Sequence, residues 1–128
     1  MRCFLLGFAG FFIATLVAVV ANAAYSDYGA RASLSESMLS VSSLRMEIAE
    51  NIMKQRTVAN AGASLKPSPE TRSFPSTDYV KVTAEGTIVF RNSKHGQIVV
   101  LEPSFHADSV TWRCVGSKPE KNMQPDCR

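Results

Sequence analysis

The first 66 residues constrain the fold most, because they combine a long uncharged run with a complete absence of proline. From Cys3 to Ala24 the sequence holds 22 consecutive residues without a charged side chain, and no proline occurs before Pro67. A helix rises about 1.5 Å per residue, so a run of this length is adequate to cross the hydrocarbon core of a bilayer. Gly29 is the only weak helix former near the end of the run. The apolar leader is therefore able to continue as one helix into the polar part of the chain.

The leader supports two interpretations of domain organisation. Arg2 is the one charge among the first 24 residues, and Ala21 and Ala23 form the small-x-small pattern that signal peptidase recognises. Cleavage after Ala23 would release a domain of 105 residues, whereas retention would keep residues 3–24 as a membrane helix. Both interpretations place the remainder outside the cytoplasm. We expect residues 1–23 to be a signal peptide or membrane-helix segment and residues 24–128 to be one globular domain.

Composition excludes several classes of function. The chain has 128 residues, with 14 Lys and Arg against 11 Asp and Glu and a formal charge of +3. This length excludes a two-domain enzyme and a polytopic membrane protein. Acidic residues interleave with the basic ones along the carboxyl-terminal half, which indicates an ordinary mixed surface rather than a nucleic-acid interface. We expect no nucleic-acid partner and no small-molecule substrate.

Residues 24–57 have the pattern of one amphipathic helix. Apolar residues recur there at steps of three and four, which is the spacing of a stripe along one helix face. We expect this stripe to pack on a sheet. Its members are Leu34, Met38, Val41, Leu44, Ile48 and Ile52.

Downstream of the helix the pattern predicts a connector and then a sheet. Residues 60–77 contain three prolines among small polar residues and are expected to form a wrapped loop. From residue 78 the period changes to two, which predicts three or four antiparallel strands. The expected strands cover residues 79–82, 87–91, 97–102 (ended by Pro103) and 109–115. The fold class is therefore α+β, with a long amino-terminal helix on an antiparallel sheet.

The cysteine pattern predicts a disulfide rather than a metal site. Cys3 lies in the leader, so Cys114 and Cys127 remain as an even pair in an exported domain. Two cysteines thirteen positions apart lack the spacing of zinc ligands, and His95 and His106 are the only histidines. We expect a carboxyl-terminal disulfide loop, no metal and no cofactor.

Catalysis is not expected from the residues that suggest it. His106, Asp108 and Ser109 supply the side chains of a hydrolytic triad, but neighbours in sequence do not form a triad and no nucleophile motif is present. We expect these three side chains to be solvated loop residues. Trp112, beside Cys114, is expected to pack in the core rather than to stack on a ligand.

Motifs at both ends of the globular region resemble those of type IV pilins and minor pilins. Residues 24–32 are similar to the A-Y-x-D-Y-x-x-R-A stretch after the membrane half of the pilin helix, and Ser35-Glu36 matches the S-E that commonly follows. Residues 110–114 and 124–128 are similar to the I-T-W-x-C and L-P-x-x-C-R elements that flank the pilin disulfide loop. The resemblance covers roughly residues 24–128.

The resemblance implies a non-catalytic filament subunit at the bacterial cell envelope. It places a long helix against an antiparallel sheet, with the helix packing in the filament centre and the disulfide loop exposed for adhesion or subunit contacts. On the helix, Tyr25 and Tyr28 join the apolar stripe as expected assembly residues. The implied partners are other pilin subunits or envelope proteins, with the membrane reached through residues 3–24. The implied location is the inner membrane or a pilus; the alternative is a periplasmic or secreted binding module released by signal peptidase.

The amino terminus departs from the family pattern. Prepilins have a basic leader that ends in glycine, followed by phenylalanine or methionine and by a glutamate at the fifth mature position. Here Gly7-Phe8 is the obvious junction, the fifth residue from Phe8 is Phe12, and no glutamate precedes Glu36. We therefore do not expect the usual terminal processing and methylation.

Overall fold

The computed structural model describes residues 2–66, 76–117 and 127, and for residues 2–12 it describes the backbone alone. Helix α1 runs from Arg2–Ser40 and helix α2 from Ser42–Gln55. Four strands follow, which are β1 (Thr77–Val82), β2 (Ile88–Asn92), β3 (Ile98–His106) and β4 (Ser109–Gly116). The strands form one antiparallel sheet in the order β1-β2-β3-β4. This arrangement confirms the α+β class and the helix that continues from the leader into the polar region.

A local break separates the two helices at Val41. Its backbone has φ −101° and ψ 3°, outside the helical range, while its carbonyl still accepts a hydrogen bond from the Arg45 amide at 3.1 Å. Ser40 and Ser42 on either side donate their hydroxyls to the carbonyls of Ser37 and Leu39 at 2.7 Å. Serine bonds of this type compete with the helical ladder and bend helices. The helical hydrogen-bond pattern is therefore interrupted at this position, between α1 and α2.

The core lies between the inner face of the helix and one face of the sheet. Leu34, Val41, Ile48 and Ile52 are fully buried, and Leu44 is 5% exposed. They meet the inward side chains of the strands, where alternation along each strand sends every second residue to the core. Those strand residues are Val80, Ile88, Phe90, Val99 and Leu101.

Strand β3 extends further than expected from the sequence. The pattern predicts an end at Pro103, but the strand continues to His106, and Pro103 lies opposite Trp112 of β4. Strand β2 pairs with β3 only as far as Leu101, so the later residues of β3 have a neighbour on one side only. A strand position without a second neighbour does not need a backbone N–H for the ladder, and proline is tolerated there. The prolines of the connector, Pro67, Pro69 and Pro75, lie outside the described residues.

The β1–β2 turn packs tightly against α2 at Gly86. This residue has φ +86°, and a Cβ built on it would lie 2.7 Å from Cγ2 of Ile48. Gly62 lies beside the same turn and donates its amide to the carbonyl of Ala84 at 2.9 Å. Both the positive φ and the close approach require glycine at position 86.

Substituting Gly86→Ala should therefore destabilise the protein by about 2 kcal/mol, since it adds left-handed strain and a contact with Ile48. Gly29→Ala is the matched control, because a Cβ at this helical position meets nothing within 4 Å. The control should stabilise the protein by about 0.5–1 kcal/mol. Urea unfolding of the full chain, followed by circular dichroism, measures both effects. Equal effects of the two substitutions would contradict the packing of the turn on α2.

Candidate functional site

The inner stripe of the helix is occupied by the sheet and is not available to a partner. Of the six residues that the spacing placed on it, five are buried in the core and Met38 is half-buried against it. Their role within the folded chain is thus packing. A contact between this part of the helix and a second molecule therefore has to use the exposed side of the helix.

The opposite face carries an exposed apolar stripe. Leu39, Met46 and Met53 recur at intervals of seven residues and are 68%, 71% and 42% exposed. Ser42 and Ala49 alternate with them along the helix. A heptad spacing of apolar residues with small residues between them is the pattern of a helix that packs against another helix. Tyr25 and Tyr28 are also exposed, at 78% and 72%, and belong to this outward surface rather than to the core.

The spacing of apolar residues along the sequence does not reveal the exposed stripe, because the buried stripe alone accounts for that spacing. Single apolar residues on an exposed helix face are common, so Leu39, Met46 and Met53 do not stand out one by one. Their seven-residue interval is the signal that identifies them.

The amino-terminal half of α1 is apolar and extends away from the sheet. Five large side chains between residues 13 and 20 are 61–70% exposed, and they are Ile13, Leu16, Val17, Val19 and Val20. Within the described residues, no helix combines the length and the apolar character needed to span a membrane. Burying one such side chain contributes about 1.5–3 kcal/mol, so this segment gains stability from any apolar partner that covers it.

The expected disulfide is present. Cys114, in β4, is bonded to Cys127, and their Cα atoms are 4.4 Å apart. Cys127 is 2% exposed and belongs to the core cluster, while Cys114 is half-buried against it. The crosslink therefore fixes the end of the chain to the edge strand β4. The residues between them from 118 to 126 lie outside the described part of the chain.

Trp112 lies on the inward side of β4 and packs against the core, as expected, while remaining half-buried. The guanidinium carbon of Arg45 is 5.2 Å from the centre of its ring, which is a cation–π arrangement. Together with Ser42, Met46 and Ala49, these two residues line an open groove of about 250 Å³.

A buried polar cluster joins α1 to the β2–β3 turn. The Asn92 side-chain amide donates to the hydroxyls of Ser37 at 3.0 Å and Ser33 at 3.3 Å. Its side-chain oxygen accepts the backbone amides of Lys94 and His95. Asn92 thus fixes the turn to the helix. Gln97, next to this cluster, is 2% exposed and has no hydrogen-bond partner among the described residues for either polar atom of its side chain.

The residues that suggest a hydrolytic triad do not form one. The Ser109 hydroxyl donates to the backbone carbonyl of His106 at 2.9 Å, and the Asp108 carboxylate pairs with Arg56. His95 is exposed in the β2–β3 turn. In the described part of the chain, no group of three or more His, Cys, Asp or Glu side chains is arranged to hold a metal ion. His106, Asp108 and Ser109 instead shape the β3–β4 hairpin, where Ala107 and Asp108 have positive φ.

Surface charges pair locally. The Arg91 guanidinium donates to both oxygens of Asp78, at 2.9 and 2.6 Å, and this hydrogen bonding lowers the pKa of Asp78 and raises the pKa of Arg91. Lys54 lies 2.6 Å from Glu50, and its hydrogen bond lowers the pKa of that carboxyl. These groups are exposed, so each pair contributes little to stability. Lys94 and Arg113 likewise lie within 4.0 Å of a carboxylate, that of Glu36 and that of Glu102.

Comparison with known proteins identifies a related family. A model of the family described as "Pilin (bacterial filament)" matches residues 30–128. This range includes most of the outward helix face, the whole sheet and both bonded cysteines. No solved structure matches the chain.

Removing the disulfide should destabilise the fold without changing its class. The double variant Cys114→Ala/Cys127→Ala is expected to lose about 3 kcal/mol of unfolding free energy, because the unfolded chain regains the entropy of an open loop. A peptide map without reductant should contain a peptide joined through these cysteines, and reductant should separate it. Two free thiols in exported material would contradict the crosslink.

Proposed function

Because the chain belongs to the pilin family of bacterial filament proteins, we propose that it acts as a non-catalytic structural subunit that assembles at the bacterial cell envelope through the outward face of its long helix. Its partners are other copies or related pilin subunits. The uncharged run of residues 3–24 supports an anchoring role for this segment in the inner membrane before assembly. The exposed helix face is the observation that carries this proposal.

Two apolar surfaces on one helix support assembly. One is the amino-terminal segment 13–20, which is exposed around its circumference, and the other is the heptad stripe of Leu39, Met46 and Met53. Neither is covered by the sheet, since the sheet contacts the inner face. When the segment of one subunit packs on the stripe of another, apolar surface of both is removed from water. This burial is the main driving force of association.

The two surfaces lie at different positions along the same helix, which favours an open array. A contact between unlike surfaces leaves one free surface of each kind at the ends, so further subunits are able to add. Repetition of such a contact gives a helical filament unless the ring closes. The geometry of this helix therefore suits polymerisation better than a closed dimer.

The disulfide-linked edge is proposed to serve surface contacts. It lies on β4, at the edge of the sheet, and the crosslink restricts the conformations of the loop between the cysteines. Adhesion to a target outside the cell would use this edge.

A secreted or periplasmic binding module is the second candidate function. The Ala21 and Ala23 pattern favours it, because cleavage there would remove segment 13–20 together with the membrane anchor. The sheet, the disulfide and the heptad stripe would remain in the released domain.

Leu39→Glu tests assembly through the helix. Leu39 is 68% exposed, so a charge there should change the stability of the folded chain by no more than about 0.5 kcal/mol. In the filament the same charge would be buried without a partner, and sedimentable filaments from cells should fall at least about tenfold. Electron microscopy of the sheared fraction provides the second readout.

The control is Ile98→Glu, which introduces the same charge at a 45%-exposed apolar residue of the sheet. It should leave the filament yield near that of the unsubstituted chain. Filaments that form equally well with Leu39→Glu would contradict packing through this face, and their absence from the unsubstituted chain would contradict the proposed function.

A further inference from the structure

The groove between α2 and β4 holds an arginine without a carboxylate partner. Arg45 is half-buried there, its guanidinium lies over the Trp112 ring, and its Nε is buried with no hydrogen-bond partner among the described residues. A buried guanidinium donor that lacks an acceptor costs free energy, and a carboxylate supplies the acceptor best. The ring lies against one side of the guanidinium, and the groove beside it is open to an incoming acid.

Partial burial sets Arg45 apart from the other basic residues whose side chains the structure describes, all of which are exposed. Five of these lie within 4.0 Å of a carboxylate of the same chain, whereas no carboxylate in the described ranges approaches Arg45 that closely. The five paired residues are Lys54, Arg56, Arg91, Lys94 and Arg113.

The opposite flank of the molecule carries the complementary charge. Glu47 and Glu85 are exposed, and within the described part of the chain neither forms an ion pair. Glu47 precedes Asn51 by one helical turn, and Asn51 donates to the carbonyl of Ala61 on the β1 side of the helix. Glu85 is in the β1–β2 turn, whose Gly86 packs on Ile48. Both carboxylates therefore lie at the level of Arg45 along α2, but on the β1 side.

The order of strands separates these two flanks by the width of the sheet. Strand β1 forms one edge and β4 the other, so the acidic residues lie toward the first edge and the groove toward the second. Glu47 and Glu85 therefore do not reach the Arg45 groove of their own molecule. A second copy placed beside it in the same orientation presents the acidic flank directly to the groove.

We propose that the Arg45 groove of one subunit binds the acidic flank, Glu47 and Glu85, of a neighbouring copy. This contact rests on the proposed filament function and adds a side-by-side interaction between globular domains to the packing of the helices. It joins unlike surfaces, so an open assembly keeps a free groove at one end and a free acidic flank at the other for further copies. Ala49 and Trp112 flank the guanidinium on the apolar side of the groove, and Met46 on its outer rim remains with the heptad stripe.

Cysteine crosslinking of the full chain tests the contact. In a Cys3→Ser background, the pair Ala49→Cys and Ala84→Cys places one new thiol on each flank and leaves Arg45, Glu47 and Glu85 in place. Mild oxidation of sedimented filaments should produce a ladder of covalent multimers on a gel without reductant. Either substitution alone should produce no ladder, because a contact between unlike surfaces does not bring two identical residues together.

The pair Ala49→Cys and Lys94→Cys is the matched control. Lys94 is exposed in a turn beside Glu36, which lies nine residues before Arg45, or about 13 Å along the helix axis. A ladder of equal yield from the control pair would overturn the proposed contact. Filaments that sediment but give no ladder with the first pair would overturn the contact and leave the filament function intact. If no filaments sediment, both proposals fail.

Charge reversal adds a readout that does not depend on thiols. Arg45→Glu should reduce sedimented filaments at least about tenfold, and adding Glu47→Lys and Glu85→Lys should restore them. Circular dichroism confirms that each variant is folded. A triple variant that assembles no better than Arg45→Glu, while melting as the unsubstituted chain does, would contradict the pairing.

Discussion

Packing of α1 and α2 on one face of the sheet is the contact on which the rest of the structure depends. Leu34, Val41, Leu44, Ile48 and Ile52 have almost no exposed surface, and they meet the inward residues of the central strands. This contact fixes the rotation of the helix about its own axis. This rotation decides which residues face outward. The buried stripe therefore also determines the positions of the exposed heptad stripe, of the Arg45 groove and of Glu47 in the acidic flank.

Much of this fold follows from local patterns in the sequence. The change of period from about 3.6 to two predicts the helix and the sheet, and the even pair of cysteines predicts the crosslink. The end of β3 does not follow, because tolerance of Pro103 depends on where the neighbouring strand stops. The buried serines do not follow either. Ser33 and Ser37 fall among polar residues of the helix, and only the fold brings them to Asn92, 55–59 positions away.

For the candidate site, the sequence predicts the family but not the pairing of surface charges. Motifs at both ends of the globular region point to the family, and the family match covers residues 30–128. Local sequence does not show which of the surface charges pair. Arg56 and Asp108 are 52 positions apart and form an ion pair, whereas Arg45 has none. The unmatched arginine emerges only after the pairs within the chain are identified in three dimensions.

The central claim is that segment 13–20 stays attached to the globular domain and packs between subunits. The amino-terminal residue and intact mass of the protein recovered from the cell envelope test this claim most directly. The account predicts that the protein retains this segment, beginning at Met1 or Phe8, and is associated with the membrane or with filaments. A mature chain that begins at Ala24 and is found in the soluble fraction would contradict it.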